Sequence, residues 1–244
     1  MTAPTISSLK EKTALVTGAS SGVGEAIARE FAERGASVLL VARDPEKLTA
    51  ATERLHVNGA ARHWAVDLAS DEPVANFIST IKKEFSGLDF LVHSAGIFRM
   101  EPMASAPVRE LDALYRVNVR APFVLTQALL PLVMARSGSI AFINSTAGAK
   151  THAGVGPYAA SKHALKALAD TLRLEISAHN VRVLSVMLGR TATPMQEEVC
   201  RLEGSIYIPG NFLQPADVAR AVVDALTLPA NTAVENLQLR PTHA

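Results

Sequence analysis

This chain contains very little cysteine and almost no net charge, and each shortage excludes a class of protein. Cys200 is the one cysteine among 244 residues, so no intramolecular disulfide can form, which suits a reducing compartment. The seven histidines are scattered, no cluster of cysteine and histidine has metal-ligand spacing, and we predict no metal. Twenty-four basic and twenty-three acidic residues leave a net charge of +1, so neither nucleic acid nor an anionic membrane is expected as a partner.

Long apolar runs are missing as well. Hydrophobic residues make up 48% of the chain but occur in short segments broken by charges, and none reaches the roughly 20 residues of a membrane span. Residues 1–10 lack the apolar core of a signal peptide. Because no linker, repeat or low-complexity run divides the chain, we predict one domain, residues 1–244, in the cytoplasm.

Short apolar segments alternate with longer amphipathic ones along the chain. This alternation predicts an α/β fold with three layers, in which helices cover both faces of a doubly wound parallel sheet of about seven strands. The predicted strands are 12–17, 37–41, 61–66, 88–92, 139–143, 181–187 and 234–239. The predicted helices are 25–34, 45–56 with Asp44 as its N-cap, 71–85, 108–135 with a break near 119–122, 157–178 and 215–226.

A glycine-rich turn joins the first predicted strand to the first predicted helix. It reads Gly18-Ala19-Ser20-Ser21-Gly22-Val23-Gly24. Glycines let the backbone approach a diphosphate closely, and the helix N-terminus adds free N–H groups and a positive dipole. The spacing is GxxxGxG rather than the commonest dinucleotide fingerprint, GxGxxG. The turn favours nucleotide binding, although many strand–helix turns contain glycine without binding a ligand.

Tyr158 and Lys162 stand four residues apart in a predicted helix, and Ser145 lies thirteen residues before the tyrosine. Positions i and i+4 share a helix face, so the phenol and the ammonium are expected side by side. A free tyrosine titrates near pH ~10, and a fixed cation lowers that pKa toward the range of useful proton exchange. Taken alone, a tyrosine and a lysine at this spacing are usually a helix surface contact.

These motifs occur together in a fixed order. Thr17-Gly18-xxx-Gly22-x-Gly24, Asn118, Ser145 and Tyr158-xxx-Lys162 resemble the short-chain dehydrogenase/reductase family in its single-domain, 3-oxoacyl-reductase-like branch. The resemblance covers nearly the whole chain. It implies a Rossmann fold, a nicotinamide cofactor, and an enzyme that interconverts a carbonyl and a secondary alcohol. The extended sugar-nucleotide branch differs in glycine spacing and carries a larger C-terminal domain, for which this chain has no room.

The resemblance also implies residue roles. Tyr158 is the expected acid/base, Lys162 lowers its pKa and bonds the nicotinamide ribose, and Ser145 polarises the carbonyl. Asn118 is expected to support a water that connects the lysine to solvent. Without the family, Ser145 would be a loop cap and Asn118 a helix break or an exposed polar residue. The expected cofactor contacts are Gly18, Ser20, Ser21, Gly22, Val23, Gly24, Arg43, Asp67, Leu68, Ser94, Ala95, Gly96, Tyr158, Lys162, Gly189, Thr191 and Thr193.

The end of the second strand predicts the choice of cofactor. Ala42 stands where NAD-preferring members carry an acid, and Arg43 follows it, which favours NADP(H). NAD(H) is the alternative if Asp44 only caps its helix and Arg43 points to solvent. The family's other basic determinant, just before the second glycine, is absent because Ser21 stands there. Asp67 matches the family's adenine contact, but an aspartate after a strand is also a common helix cap.

Two turns depart from the family pattern. His93-Ser94-Ala95-Gly96 replaces Asn-Asn-Ala-Gly, and we expect His93 to be structural. Leu188-Gly189 replaces Pro-Gly, and we expect Leu188 to loosen that turn.

The substrate is predicted less sharply than the chemistry. We expect a lid at about 190–212 that contains apolar residues, and a largely apolar lining from Ile97, Phe98 and the 147–155 loop. This favours a small-molecule carbonyl or alcohol on an apolar body. The competing function is a non-catalytic, NADP(H)-binding redox sensor or assembly partner. In either case the resemblance implies a homo-oligomer, a dimer or a tetramer, formed through the helices at 108–135 and 157–178.

Overall fold

The structure, a computed structural model, describes residues 8–55 and 60–242. These residues form one seven-stranded sheet in the order β3-β2-β1-β4-β5-β6-β7, in which all neighbouring strands are parallel. The strands are β1 (Thr13–Thr17), β2 (Ser37–Ala42), β3 (Ala61–Ala65), β4 (Phe90–His93), β5 (Ser139–Ser145), β6 (Arg182–Leu188) and β7 (Asn236–Leu239). The helices are α1 (Gly22–Glu33), α2 (Pro45–Leu55), α3 (Asp71–Glu84), α4 (Val108–Tyr115), α5 (Ala121–Met134), α6 (Gly156–Ile176), α7 (Pro194–Glu203) and α8 (Pro215–Leu226).

This architecture confirms the predicted doubly wound α/β Rossmann fold. The strand order reverses between β1 and β4, which are neighbours in the sheet although two strands separate them along the chain. In such sheets ligands bind beyond the carboxyl ends of the strands, at the point of reversal. The turns that begin at Gly18 and Ser94 therefore meet where a ligand is expected.

Two apolar layers fill the space on either side of the sheet. Successive residues of a strand point to opposite faces. Leu15 accordingly packs in the layer covered by α3, α5 and α6, whereas Val16 packs in the layer covered by α1 and α8. Both side chains are fully buried, as a strand covered on both faces requires.

The predicted break in the long helix is a π-helical segment. Residues 116–120 form one π turn between α4 and α5, slightly before the predicted 119–122, and the chain stays helical throughout. Pro122 is tolerated because it lies in the first turn of α5. By length and mean hydropathy, Val108–Met134 is the one described helix able to cross a membrane. Leu125 and Leu129 from this stretch are nevertheless fully buried in the core.

The sequence prediction contained a lid but missed its helix. Residues 194–203 form α7, whose ends carry ordinary cap signals. The Thr193 Oγ1 accepts a hydrogen bond from the Gln196 N–H at 3.2 Å, and Gly204 ends the helix in a left-handed conformation with φ 67°. The other boundaries differ from prediction by a few residues. His56, the predicted end of the second helix, lies outside the described residues.

Candidate active site

A cleft of about 840 Å³ opens at the carboxyl ends of the strands. Every residue predicted to contact a cofactor lines this cleft, and so does Ser145. Asn118 is the exception among the predicted catalytic residues, because it is fully buried behind the cleft wall. The fold thus brings together residues that are up to about 175 positions apart in the sequence, from Gly18 to Thr193.

The glycine-rich turn packs against the turn after β4 with no room for side chains. Gly18 has φ +68°, and a Cβ there would lie 2.7 Å from the Ala95 nitrogen. A Cβ on Gly24 would clash with the Gly18 carbonyl oxygen. The Thr17 hydroxyl oxygen fastens the two turns, because it accepts hydrogen bonds from the Ser94 N–H at 3.1 Å and the Ala95 N–H at 3.2 Å. The sequence motif includes Thr17, but the two hydrogen bonds by which its hydroxyl joins these turns were not predicted.

The start of α1 presents free donors to the cleft. The helix begins at Gly22, three residues earlier than predicted. Gly22, Val23 and Gly24 form its first turn and line the cleft, and first-turn N–H groups have no intrahelical partner. This arrangement suits an anion such as a diphosphate.

A hydrogen-bond network fixes the backbone on which Tyr158 and Lys162 stand. The Ser161 hydroxyl donates to the Tyr158 carbonyl oxygen at 2.7 Å and accepts from Asn118 Nδ2 at 3.0 Å. Asn118 also bonds Ile97 twice, with its Oδ1 accepting from the Ile97 N–H and its Nδ2 donating to the Ile97 carbonyl. Asn118 therefore ties the turn after β4 to α6. Ser161 was not predicted to take part.

A second amide links β5 to the same helix. Asn144 Nδ2 donates to the Lys162 carbonyl oxygen at 3.0 Å, while Asn144 Oδ1 accepts from the Ser145 N–H at 2.8 Å. The Ser145 hydroxyl oxygen in turn accepts from the Ala147 N–H at 3.1 Å. Ser145 is thus a loop cap, as its non-catalytic interpretation holds, and its hydroxyl also hydrogen-bonds the Tyr158 phenol.

Burial sets the electrostatics of the Tyr158 and Lys162 side chains. It raises the pKa of the Tyr158 phenol, and hydrogen bonding by Ser145 opposes that shift. Burial also lowers the pKa of the Lys162 ammonium to about 8, so the lysine stays largely protonated at neutral pH. The Lys162 Nζ lies 5.9 Å from the Tyr158 ring centroid and donates to the Ile143 carbonyl at 3.3 Å. The pKa of Tyr158 is thus raised rather than lowered as expected, because desolvation is the larger effect and the group that opposes it is Ser145, not Lys162.

The end of β2 carries the predicted pair of a small residue, Ala42, followed by a basic one, Arg43. Ala42 is buried, and Arg43 is exposed at the cleft without an ion pair among residues 8–55 and 60–242. Asp44 caps α2, since its Oδ1 accepts from the N–H groups of Glu46 and Lys47 at 3.1 Å each. Its pKa is lowered first by the backbone N–H of Lys47.

Asp67 lines the cleft but also caps its own turn. Its carboxylate oxygens accept from the Ala69 N–H at 3.1 Å and from the Ser70 hydroxyl at 2.9 Å. Asp67 therefore caps the turn before α3 rather than the helix itself, and its contact with the adenine stays a prediction.

The threonines after β6 are engaged with the protein. The Thr191 hydroxyl donates to the Gly189 carbonyl, and the Thr193 hydroxyl donates to the Thr191 carbonyl as well as capping α7. A Cβ on Gly22 would lie 3.0 Å from Thr193 Cγ2, so the start of the lid helix packs on the glycine-rich turn.

The two departures from the family pattern are both buried. His93 stacks on Phe142 with ring centroids 4.9 Å apart, its Nε2 lies 2.8 Å from the Thr126 hydroxyl, and burial lowers its pKa to about 3. A neutral histidine of this kind is consistent with the expected structural role. Leu188 does not loosen its turn, because it is paired within β6 to both neighbouring strands and Gly189 continues the ladder to Leu239.

The end of the cleft beside Tyr158 is mainly apolar. Ile97, Val155 and Met195 line it, and Phe98 packs edge-on against Tyr158 at 4.9 Å between ring centroids. Of the apolar residues that the predicted lid contains, Met195 lines the cleft and five others do not. Cys200 is buried away from the cleft, Leu202, Ile206 and Ile208 are exposed, and Tyr207 stacks on Phe212. The helical conformation of α7 explains the difference, because only one of its faces turns toward the cleft.

The fold and the cleft define an α/β protein of the dinucleotide-binding class. Residues 12–203 match the family described as short chain dehydrogenase, so the chain belongs to this family of oxidoreductases. An uncharacterized oxidoreductase of Staphylococcus epidermidis is 32% identical over 234 residues, which cover 96% of this chain and 98% of the relative.

Solved structures of the family superimpose along nearly the whole chain. A metagenomic short-chain oxidoreductase in complex with NADP is 34% identical, with a TM-score of 0.83 and coverage of 98% of this chain and 100% of that one. L-sorbose reductase from Gluconobacter frateurii, complexed with NADPH and L-sorbose, is 27% identical, with a TM-score of 0.86 and coverage of 95% and 96%.

Proposed function

We propose that this protein is an NADP(H)-dependent oxidoreductase that interconverts a carbonyl and a secondary alcohol. The observation that carries the proposal is the meeting of the Tyr158 phenol, the Ser145 hydroxyl and the buried Lys162 ammonium on one wall of the cleft. An acid, a hydrogen-bond donor and a fixed cation are the groups that proton transfer to a carbonyl oxygen requires.

The residues of the cleft fit a dinucleotide. Gly18 and Gly24 leave no room for a Cβ, and the first turn of α1 offers donors for a diphosphate. Related structures hold NADP or NADPH, which supports the same cofactor here. When bound, NADP(H) supplies or accepts the hydride. Arg43 would hold its 2′-phosphate, and Lys162 its nicotinamide ribose.

Proton transfer is then the task of the chain's own residues. A raised pKa keeps the Tyr158 phenol protonated at neutral pH, as a donor for carbonyl reduction must be. Ser145 would donate a hydrogen bond to the carbonyl oxygen and favour negative charge there. After transfer, the Lys162 ammonium would stabilise the phenolate, because an opposite charge favours the ionised form. Asn118 would support the proton relay through a water that connects Lys162 to solvent, and its hydrogen bonds to Ile97 and Ser161 fix its position.

We also propose a homo-oligomer in the cytoplasm, formed through α4, α5 and α6. Four large apolar residues on α4 and α5 expose 37–72% of their surface: Val108, Leu111, Tyr115 and Phe123. A contiguous exposed apolar patch is typical of a surface that contacts another protein. Light scattering of the wild type and of Phe123→Glu tests this: a dimer or tetramer that the charge dissociates supports the interface, and a wild-type monomer contradicts it.

Oxidation of NADPH, with NADH in parallel, across ketones and β-ketoacyl thioesters tests the enzymatic proposal. Tyr158→Phe is the matched variant, because it removes only the phenol oxygen. Turnover by the wild type that falls at least about 100-fold in Tyr158→Phe, with NADPH binding retained, supports the proposal. Turnover that survives the substitution contradicts the role of Tyr158. NADPH binding without any turnover across the panel favours the redox-sensor alternative.

A further inference from the structure

The side of α7 that faces the cleft is apolar apart from two residues. Met195, Gln196, Val199 and Glu203 line the cleft, at spacings that share one face of a helix. Glu203 is already engaged, because its carboxylate forms an ion pair with Arg190. Gln196 is left as the neutral polar side chain on this face, and no role was predicted for it from the sequence.

The Gln196 amide is buried and short of hydrogen-bond partners. The residue is 7% exposed, and its Nε2 donates only to the Cys200 Sγ, at 3.5 Å. Sulfur is a weak acceptor, and within residues 8–55 and 60–242 no donor pairs with the Gln196 Oε1. The unpaired side-chain atoms sealed inside this part of the chain are His93 Nδ1 and Ser185 Oγ. Because the Gln196 Oε1 is not among them, it opens on the cleft.

The local structure of α7 does not explain this orientation of the amide. Thr193 and Gln196 have the spacing of a capping box, in which the glutamine side chain bonds back to the N–H of the N-cap residue. The described lid contains only the first half of that box, since the Thr193 Oγ1 accepts from the Gln196 N–H at 3.2 Å. The amide instead turns along the helix toward Cys200. Buried amides are normally hydrogen-bonded, so a group of a ligand in the cleft is the partner that this geometry lacks.

We propose that Gln196 determines substrate specificity by hydrogen-bonding a hydroxyl group of the substrate, so that hydroxyketones, and the diols formed from them, are the preferred substrates. A hydroxyl both donates and accepts, so it can pair with the Oε1 and also replace sulfur as the partner of the Nε2. Ile97, Phe98 and Val155 would enclose the carbon body. This inference rests on the proposed function, because it names the class of carbonyl compound that the same site takes.

The test compares kcat/KM for NADPH-dependent reduction of matched ketones. The panel contains a medium-chain methyl ketone, its monohydroxylated derivatives, and their methyl ethers, which accept a hydrogen bond but cannot donate one. A site that hydrogen-bonds a substrate hydroxyl selects against the analogue without it, because the buried polar group is then left unpaired. We expect the wild type to prefer at least one hydroxyketone over the parent ketone, and over the matching ether, by about tenfold.

Gln196→Met removes the amide at nearly constant side-chain volume. It should lower the ratio of kcat/KM for the preferred hydroxyketone over the parent ketone about tenfold. NADPH affinity in titration calorimetry and the midpoint of urea unfolding should stay as in the wild type, because the amide has only a weak partner in the protein. Gln238→Met, which replaces an exposed glutamine of β7 outside the cleft, is the matched control and should not change the ratio.

The outcomes separate this inference from the proposed function. A preference for a hydroxyketone that disappears in Gln196→Met, with NADPH affinity unchanged, supports the inference. If the ratio is the same in both proteins, or if the substitution weakens NADPH binding, the inference is wrong and the proposed reduction of ketones stands. A lower unfolding midpoint with an unchanged ratio also overturns it, because the amide then serves the fold. If the wild type reduces neither kind of ketone, the inference fails together with the proposed reduction of simple ketones.

Discussion

Replacing Lys162 by methionine should stabilise the folded protein while abolishing its activity. Lys162 is 5% exposed, and burial lowers its pKa from 10.5 to about 8. At 1.36 kcal/mol per pKa unit, holding a protonated lysine there costs about 3 kcal/mol at pH 7. Methionine avoids this cost but leaves the Ile143 carbonyl without the lysine donor, a loss of about 1 kcal/mol. The expected net gain is about 2 kcal/mol.

The pH dependence distinguishes this explanation from a simple packing effect. Between the folded pKa of about 8 and the unfolded pKa of 10.5, the unfolded chain binds more protons than the folded one. Wild-type stability therefore rises with pH in this window, and the lysine penalty falls to about 1.5 kcal/mol at pH 9.5. The advantage of Lys162→Met should shrink by about 2 kcal/mol between pH 7 and pH 9.5. Working below pH 9.5 avoids titrating Tyr158, whose pKa is raised.

Urea unfolding at fixed protein concentration measures both quantities. The single tryptophan, Trp64, packs against Phe77 and Phe85 and reports unfolding by fluorescence. Lys83→Met, an exposed lysine on α3, is the control and should change stability by less than about 0.5 kcal/mol at either pH. A variant that is less stable than the wild type at pH 7, or an advantage that does not change with pH, would refute the reasoning. NADPH-dependent turnover of Lys162→Met should fall about 100-fold or more.

Three further predictions concern buried groups around the cleft. Burial lowers the pKa of His93 to about 3, so the free energy of unfolding of the wild type falls as the pH drops below 6.5. In urea unfolding, the wild type should lose about 2 kcal/mol more between pH 7 and pH 5 than His93→Asn does. Equal losses would show that His93 is not the group responsible. Ser161→Ala leaves a buried Asn118 N–H without its partner and should cost about 1–3 kcal/mol in the same assay, with Ser161→Thr as the hydroxyl-retaining control; unchanged stability would contradict the bridge. Gly24→Ala places a Cβ against the Gly18 carbonyl and should lower the unfolding midpoint and abolish NADPH binding in calorimetry; retained binding would disprove the close packing of the turn.

The alternation of strands and helices was predictable because it depends on local patterns. Buried strands such as Leu15-Val16 and Leu91-Val92 are short apolar runs, and the helices between them carry one apolar face. Parallel strands need crossovers, so the doubly wound fold followed. The helix α7 was missed although Thr193, Pro194 and Gly204 are ordinary cap signals, since the whole segment was interpreted as a lid.

The sequence by itself determined the order and spacing of the groups that carry the proposed chemistry, from Gly18 to Lys162, because motif spacing is written along the chain. The tertiary structure alone decided how their charges behave. Burial, which depends on every element packed around α6, raises the pKa of Tyr158 and lowers that of Lys162. It also decided which distant residues share a site. Gly18 meets Ala95 at the cleft, and Asn118 reaches Ser161, only because the fold places their elements side by side.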